Sequence, residues 1–289
     1  MQNSNTSHQT ETSKPIDYLV IGHLTADLTP AGVRMGGTVT FSGLTAHKLG
    51  LHVGIISSYA EDMDISAINS LWIKNIKSEH TTTFKNISDG INRTQYLYHV
   101  ANRLTQSDLP GFTSPPKIVH LGPVANEIDP EIMLAYPESL KCMTPQGWFR
   151  HRDDQDRVKL APWENAERYL EMADAAVISV EDVQKDEDYI AKLAACIPVF
   201  VVTENYRGAR VYWHNDARFI SAPGVKYVDD TGAGDIFAAA FFYRYYFTKD
   251  PWEAGRFAVQ LASWSVQRAY LESIPTHGEI ETAKMELIG

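Results

Sequence analysis

From Lys117 onward the chain alternates strand-like runs with helical stretches, and no other feature restricts its fold as strongly. The runs KIVHL, LKCMT, AAVISV and VFVVT read as short buried strands. The stretches after Pro130, from Trp163 to Met172 and near Asp188 to Ala195 read as the helices between them. A paired run near Val211 and Phe219 follows, and then two apolar helices, Gly234 to Phe247 and Trp252 to Arg268. Alternation of this kind predicts a three-layer α/β/α domain with a mostly parallel central sheet.

The N-terminal half opens in the same way. Asp17 to Gly22 (DYLVIG) reads as a buried strand, Thr40 to Leu49 as a helix closed by Gly50, and Val53 to Ser57 as a second strand. Between the first strand and the helix, Thr25 to Met35 carries Pro30, Ala31 and Gly32, which predicts a small hairpin standing off the domain. Arg93 to Val100 alternates like a half-exposed strand of the same appendage. Together they predict a small β lid, with segments at about 25–35 and 81–101, on one domain of residues 16–289.

Composition narrows what such a domain binds. The chain has 289 residues, 44% of them hydrophobic, enough for one large core, so disorder is confined to the polar tail of residues 1–15, which lacks the apolar segment of a signal peptide. Cys142 and Cys196 are isolated in sequence, which excludes a disulfide framework or a cysteine-built metal centre and fits a reducing compartment. The longest apolar run, Phe237 to Phe247, is interrupted by Arg244 and is too short for a bilayer. A cytoplasmic protein without a membrane partner is expected. With 26 Lys and Arg against 36 Asp and Glu, the formal charge of −10 would repel a nucleic-acid backbone. An anionic ligand would therefore need a local positive field, from a helix N-terminus, a few arginines or a divalent metal.

Such a field is predicted at Asp229-Asp230-Thr231-Gly232-Ala233-Gly234-Asp235, which opens the helix IFAAAFFY. Small residues at 232–234 leave backbone N–H groups unobstructed at a helix N-terminus, and Asp235 falls in the first turn, where it could accept a proton from an attacking hydroxyl. The same pattern could also be no more than a turn with favourable first-turn charge. His99 and His120 have no metal-ligand spacing and read as packed or surface residues. The aromatic helix FAAAFFYRYYF reads as core.

Taken together, these motifs resemble the ribokinase-like (PfkB) family of carbohydrate kinases, over roughly residues 17–281. The resemblance is carried by DDTGAGDIFAAAF, by Gly36-Gly37 before a helix, by Asp27 in GHLTAD, and by VVTENYRGARV with its Thr203 and Gly208. It implies a ribokinase-like fold and ATP-dependent phosphorylation of a sugar or polyol hydroxyl. Asp235 would be the catalytic base and Gly232, Ala233 and Gly234 the anion hole. Asp27, Gly36 and Gly37 would meet the acceptor, and Thr203, Gly208, Ser179 and Thr231 the nucleotide. Asp182 would reach Mg²⁺ through water, and a monovalent cation is left open. The chain departs from the pattern at Asp230, where Thr is commoner, and at Asn205, where Gly is usual. It departs again at Ser179-Val180-Glu181-Asp182, which stands in place of an N-x-x-E element.

After the double glycine the chain reads Thr38-Val39-Thr40-Phe41-Ser42, unlike pentose kinases and similar to the plant-type myo-inositol kinase branch. GINRTQYLYHVANRLTQSDLP and TPQGWFR extend that likeness. A polyol presents only hydroxyls, so its pocket calls for Asp27 together with donors such as Asn92, Arg93 and Gln146. Arg150 falls with Gln146 in a place that matches that branch, although, followed by HRDDQD, it reads more simply as part of a surface charge run. Two alternatives stay open. One is a nucleoside kinase using Tyr96, Tyr98 or Phe41 against a base, and the other is a non-catalytic sugar or nucleotide sensor. The expected partner is a small molecule, bound by a monomer or a homodimer.

Overall fold

The computed structural model describes residues 14–88 and 93–286. The N-terminal half contains β1 (Tyr18–Ile21), β2 (Thr25–Thr29), β3 (Gly32–Gly36), α1 (Thr38–Lys48), β4 (Val53–Ser57), β5 (Trp72–Asn75), β6 (Thr82–Ser88) and β7 (Arg93–His99). There follow β8 (Ile118–Leu121), β9 (Leu140–Met143), β10 (Arg150–Arg152), β11 (Val158–Leu160), α2 (Ala166–Leu170), β12 (Ala175–Ser179), α3 (Glu187–Ala194) and β13 (Val199–Thr203). The chain closes with β14 (Gly208–Trp213), β15 (Asp216–Ser221), α4 (Ala233–Thr248), α5 (Pro251–Ser265) and α6 (His277–Glu286).

Nine strands form the main sheet in the order β15-β14-β13-β12-β9-β8-β1-β4-β5. All neighbours from β13 to β5 are parallel, and only the β13–β14 and β14–β15 pairings are antiparallel. Strand periodicity of two divides the core into layers. Tyr18 and Val20 of β1 join Val177, Val201 and the residues of α1, α4 and α5 on one face. Leu19 and Ile21 join Ile178, Val202, Trp148 and the residues of α2 and α3 on the other. The chain thus has the three-layer α/β/α architecture with a mostly parallel sheet that the alternation predicts.

Over Ile236 to Phe242 helix α4 is apolar all round because this part is enclosed on every side, by the sheet, α1 and α5. Its end is set by Lys249 in the left-handed region, at φ 56°, followed by Asp250 and Pro251. Asp250 caps α5 by accepting the N–H groups of Trp252 and Glu253. No helix among the described residues is long and apolar enough to cross a membrane.

A second, four-stranded sheet in the order β3-β2-β6-β7 joins the hairpin at 25–36 to the strands at 82–99. Some connections differ from the sequence expectation. Residues Pro130–Ala135 form a short 3₁₀ helix, and the stretch from Trp163 shrinks to the five residues of α2. The Trp163 ring stacks on Trp148 and on Tyr169, so it serves packing rather than helix length. The charge run after Arg150 folds as the hairpin β10–β11. Most of the 1–15 tail lies outside the described residues.

Candidate active site

Parallel strands deliver their carboxyl ends to the same edge of a sheet, and ligands bind outside that edge. Here the ends of β9, β12 and β13 contribute Thr144, Ser179 and Thr203 to a cavity of about 1010 Å³. The four-stranded sheet forms the opposite wall, with Asp27, Arg34, Phe84, Asn86 and Gln95. The loop before α4 completes it with Asp229 to Gly232, Gly234 and Asp235.

The Asp229–Asp235 loop is built by its own hydrogen bonds. Asp229 Oδ1 accepts the Thr231 N–H and hydroxyl, at 2.9 and 2.7 Å, and Oδ2 accepts the N–H of Tyr270. Burial alone would push the Asp229 carboxyl up, yet these bonds hold it below the usual range. Gly232 stands at φ 79°, and a Cβ there would lie 2.1 Å from the Phe41 ring, so no other residue fits. Phe41 therefore packs beneath the loop, with Ile236 and Ile274. Gly234 differs, since a Cβ there would meet nothing within 4 Å and would project into open space.

The first-turn N–H groups of a helix have no intrahelical acceptor, and the helix dipole places positive potential beside them. In α4 the Ala233 N–H is already bonded to the Asp230 carbonyl. Ala233 does not line the cavity either, so the candidate anion-binding donors are the N–H groups of Gly232, Gly234 and Asp235.

Asp235 is partly exposed to the cavity and otherwise enclosed by protein. Burial raises its carboxyl to about 6, opposed by the Thr38 hydroxyl and the Arg150 guanidinium, while Asp182 and Asp27 add like charge. Thr38 opens α1, so the helix after the double glycine presents a hydrogen bond to the carboxylate at the start of α4. Ser42, one turn further along α1, donates to the Asp235 carbonyl at 3.0 Å.

The double glycine has two separate reasons. A Cβ on Gly36 would lie 2.2 Å from Asp27 Oδ2, so Gly36 makes room for that carboxylate without lining the cavity itself. Gly37 has φ 88°, and a Cβ there would lie 2.4 Å from the His23 carbonyl. Asp27 also accepts the Thr25 hydroxyl at 3.0 Å and stands opposite Arg34 in the β2–β3 pairing.

On the other side, Asp182 accepts the Ser179 N–H at 2.8 Å and interacts with the Gln146 side chain. Burial raises its carboxyl, against the Ser179 N–H, Arg150 and Gln146. Arg150 lines this cavity, contrary to its reading as part of a surface charge run, and donates to the Val124 carbonyl at 3.1 Å. That carbonyl is held in place by Glu127, a buried carboxylate that accepts the N–H groups of His23, Val124 and Ala125.

The structure gathers Asp27, Gly37, Gln146, Ser179, Asp182 and Thr203 around one cavity with Thr231, Gly232, Gly234 and Asp235. Gly208 is not among the lining residues. At φ 126°, a Cβ on it would lie 1.9 Å from the Ile220 carbonyl, so it serves the tight root of the β14–β15 hairpin. Asn92 and the Arg93 side chain lie outside the described residues. Tyr96 and Tyr98 do not line the cavity. Sequence reasoning missed Thr38, Thr144, Asn86, Gln95 and Tyr270. Asn86 and Gln95 face each other across β6 and β7, and their spacing of two from Phe84 and Leu97, which puts them on the same sheet face, was the available signal.

Comparison with known proteins bears on the fold. Residues 167–277 match the pfkB family carbohydrate kinase. A search of curated proteins finds no sequence match. Among solved structures, a pyrophosphate-dependent kinase in the ribokinase family, complexed with a pyrophosphate analogue and myo-inositol, superposes with TM-score 0.75 at 20% identity, covering 91% of this chain and 99% of that one. Arabidopsis thaliana ribokinase with ribose and ATP superposes with TM-score 0.71 at 17% identity, covering 93% and 99%. The Methanocaldococcus jannaschii nucleoside kinase gives TM-score 0.67 at 18% identity, covering 94% and 99%. At these identities the likeness is one of fold.

Proposed function

We propose, from the premise that this chain is a ribokinase-like pfkB carbohydrate kinase, that it transfers the terminal phosphoryl group of ATP to a ring hydroxyl of a sugar or cyclic polyol, with myo-inositol the leading candidate. The observation that carries this reading is the placement of Asp235. It lies in the first turn of α4, bonded by Thr38, between the unobstructed N–H groups at Gly234 and the wall that bears Asp27.

In this reading Asp27, Asn86, Gln95 and Arg150 bind the acceptor hydroxyls, and the Asp235 carboxylate takes the proton of the attacking one. The acceptor oxygen forms a bond to phosphorus as the bond to the leaving phosphate oxygen breaks, releasing ADP. The Gly234 and Asp235 N–H groups and the α4 dipole stabilise the charge on the moving phosphoryl oxygens. Ser179, Thr203 and Thr231 lie beside that path and would meet the donor.

No cluster of three or more His, Cys, Asp or Glu able to hold a metal occurs among the described residues. One or two carboxylates suit Mg²⁺, which keeps several of its waters and is held with them by substrate phosphates. Asp182 and Glu181, both at the cavity, would hold it through water, and when bound it would neutralise charge on the donor phosphates.

One observation favours a second reading. Phe84, Val124, Val158 and Leu160 give the cavity an apolar wall that a nucleoside base could use. Turnover of myo-inositol, other cyclitols, ribose and adenosine, each with MgATP, separates the two. Pyrophosphate belongs in the donor arm, since one structural neighbour depends on it. Phosphorylation of a cyclitol or sugar that disappears in Asp235→Ala supports the proposal; undiminished turnover in that variant overturns it.

A further inference from the structure

A buried hydrogen-bond chain that the mechanism above does not use runs through the main sheet to the cavity. The Tyr18 hydroxyl lies 2.8 Å from His120 Nδ1, and His120 Nε2 lies 2.9 Å from Thr144 Oγ1. Tyr18 and His120 are fully enclosed on the adjacent strands β1 and β8, while Thr144 follows β9 and opens onto the cavity.

Proton accounting sets the direction of this chain. Among the described residues, His120 Nδ1 is the one hydrogen-bond partner of the Tyr18 hydroxyl. If the ring carried its proton on Nδ1, the phenol proton would have no acceptor in a site closed to water, which is unfavourable. Tyr18 therefore donates to Nδ1, the imidazole proton sits on Nε2, and Nε2–H donates to Thr144 Oγ1. Burial keeps the ring neutral, with its titration pushed down to about 3, as this assignment requires. The Thr144 oxygen is then an acceptor on its buried side, which leaves its own proton to point elsewhere. Among the described residues no protein acceptor for that proton is present, and the open side of Thr144 is the cavity.

Thr144 also stands close to the reacting centre. A Cβ built on Gly122 would touch both Thr38 and Thr144 Oγ1, and Thr38 bonds Asp235. We propose that the Thr144 hydroxyl is an acceptor-binding group, oriented as a hydrogen-bond donor by Tyr18 and His120, that recognises an oxygen of the sugar or polyol beside Asp235. Tyr18 and His120 are positioning residues that act through it. The role rests on the cavity being the phosphoryl-transfer site proposed above.

The test is steady-state kinetics of Thr144→Val, Thr144→Ser, Tyr18→Phe and Tyr18→Phe/Thr144→Val, with Asp235→Asn alongside, using myo-inositol or whichever panel acceptor turns over fastest. Thr144→Val should raise the acceptor KM about tenfold, the worth of one hydrogen bond, and leave the ATP KM unchanged, while Thr144→Ser should stay within about threefold of the parent. Tyr18→Phe should show a smaller rise, because the ring can then take either tautomer, and it should add nothing to Thr144→Val in the double variant. An acceptor KM unchanged in Thr144→Val while Asp235→Asn is inactive would overturn the role of Thr144 alone. So would a rise confined to the ATP KM, or Tyr18→Phe and Thr144→Val effects that simply add. Should Thr144→Val fail to fold, an acceptor KM unchanged in Tyr18→Phe would do the same. Undiminished activity in Asp235→Asn, or no acceptor turned over, would instead overturn the functional reading and this inference with it.

Discussion

Tyr270 donates its backbone N–H to the Asp229 carboxylate at 3.1 Å, fastening the C-terminal segment to the loop that opens α4. Its hydroxyl donates to the Met35 carbonyl at the end of β3, and the Arg34 guanidinium lies 5.3 Å over its ring. One side chain thus ties the loop before α4 to the four-stranded sheet across the cavity. Tyr270 takes φ 53°, an unusual conformation for a bulky residue and one that surrounding contacts must maintain.

Tyr270→Phe keeps the ring and removes only the link to Met35. Loss of one partly buried hydrogen bond should lower stability by about 1 kcal/mol, and a calorimetric scan should show Tm reduced by roughly 2–4 °C. The acceptor KM should rise several-fold, because β3 is no longer held to the loop.

Asp235→Asn should lower kcat at least about 10²-fold with little change in substrate binding measured by titration calorimetry. In the parent enzyme kcat/KM should rise with pH through a midpoint at about 6 and then level off, since the base must be ionised and burial raises its carboxyl to about 6. A flat profile between pH 5 and 7 would remove Asp235 from the role of base.

The same shift predicts a stability effect of opposite benefit. The Asp235 carboxyl titrates at about 6 in the folded chain against 3.8 for an ordinary one, so the native state binds the proton more tightly. Its contribution is fully present below the lower value and is lost as pH rises through the higher one. Asp235→Asn should therefore stabilise the protein at pH 8, by roughly 2 kcal/mol. That gain should shrink as pH falls through 6 towards 4 in denaturant titrations.

Two glycines two residues apart should respond differently to alanine. Gly232→Ala forces a side chain into the Phe41 ring and a left-handed backbone, and should destabilise by about 2 kcal/mol or more. Gly234→Ala should fold with an equal or higher Tm, because alanine suits a helix and meets no neighbour. Its methyl group would stand where the donor phosphate is proposed to bind, so the donor KM should rise tenfold or more. A Gly234→Ala enzyme with an unchanged donor KM would place the phosphoryl group elsewhere.

Much of this architecture was legible in local pattern. The strands at β1, β8, β12 and β13 are short runs whose alternate residues face opposite layers, and α4 is marked by small residues before a long apolar stretch. The spacing of Gly232, Gly234 and Asp235 identified the loop. The hairpin β10–β11 escaped because its exposed strands carry the charges of a surface run. Gly208 was misleading for the converse reason, since its glycine answers to the Ile220 carbonyl rather than to a ligand.

The sequence by itself determined the layered α/β order and pointed to the chemistry proposed at the start of α4, because both depend on residue types at short spacing. Tertiary structure alone decided which distant groups serve that chemistry. Thr38 reaches Asp235, Gly36 makes room for Asp27, Arg150 turns inward, and Tyr18 acts on Thr144 through His120. Tyr18, His120 and Thr144 lie on or just after β1, β8 and β9, parallel neighbours that are far apart along the chain and side by side in the sheet.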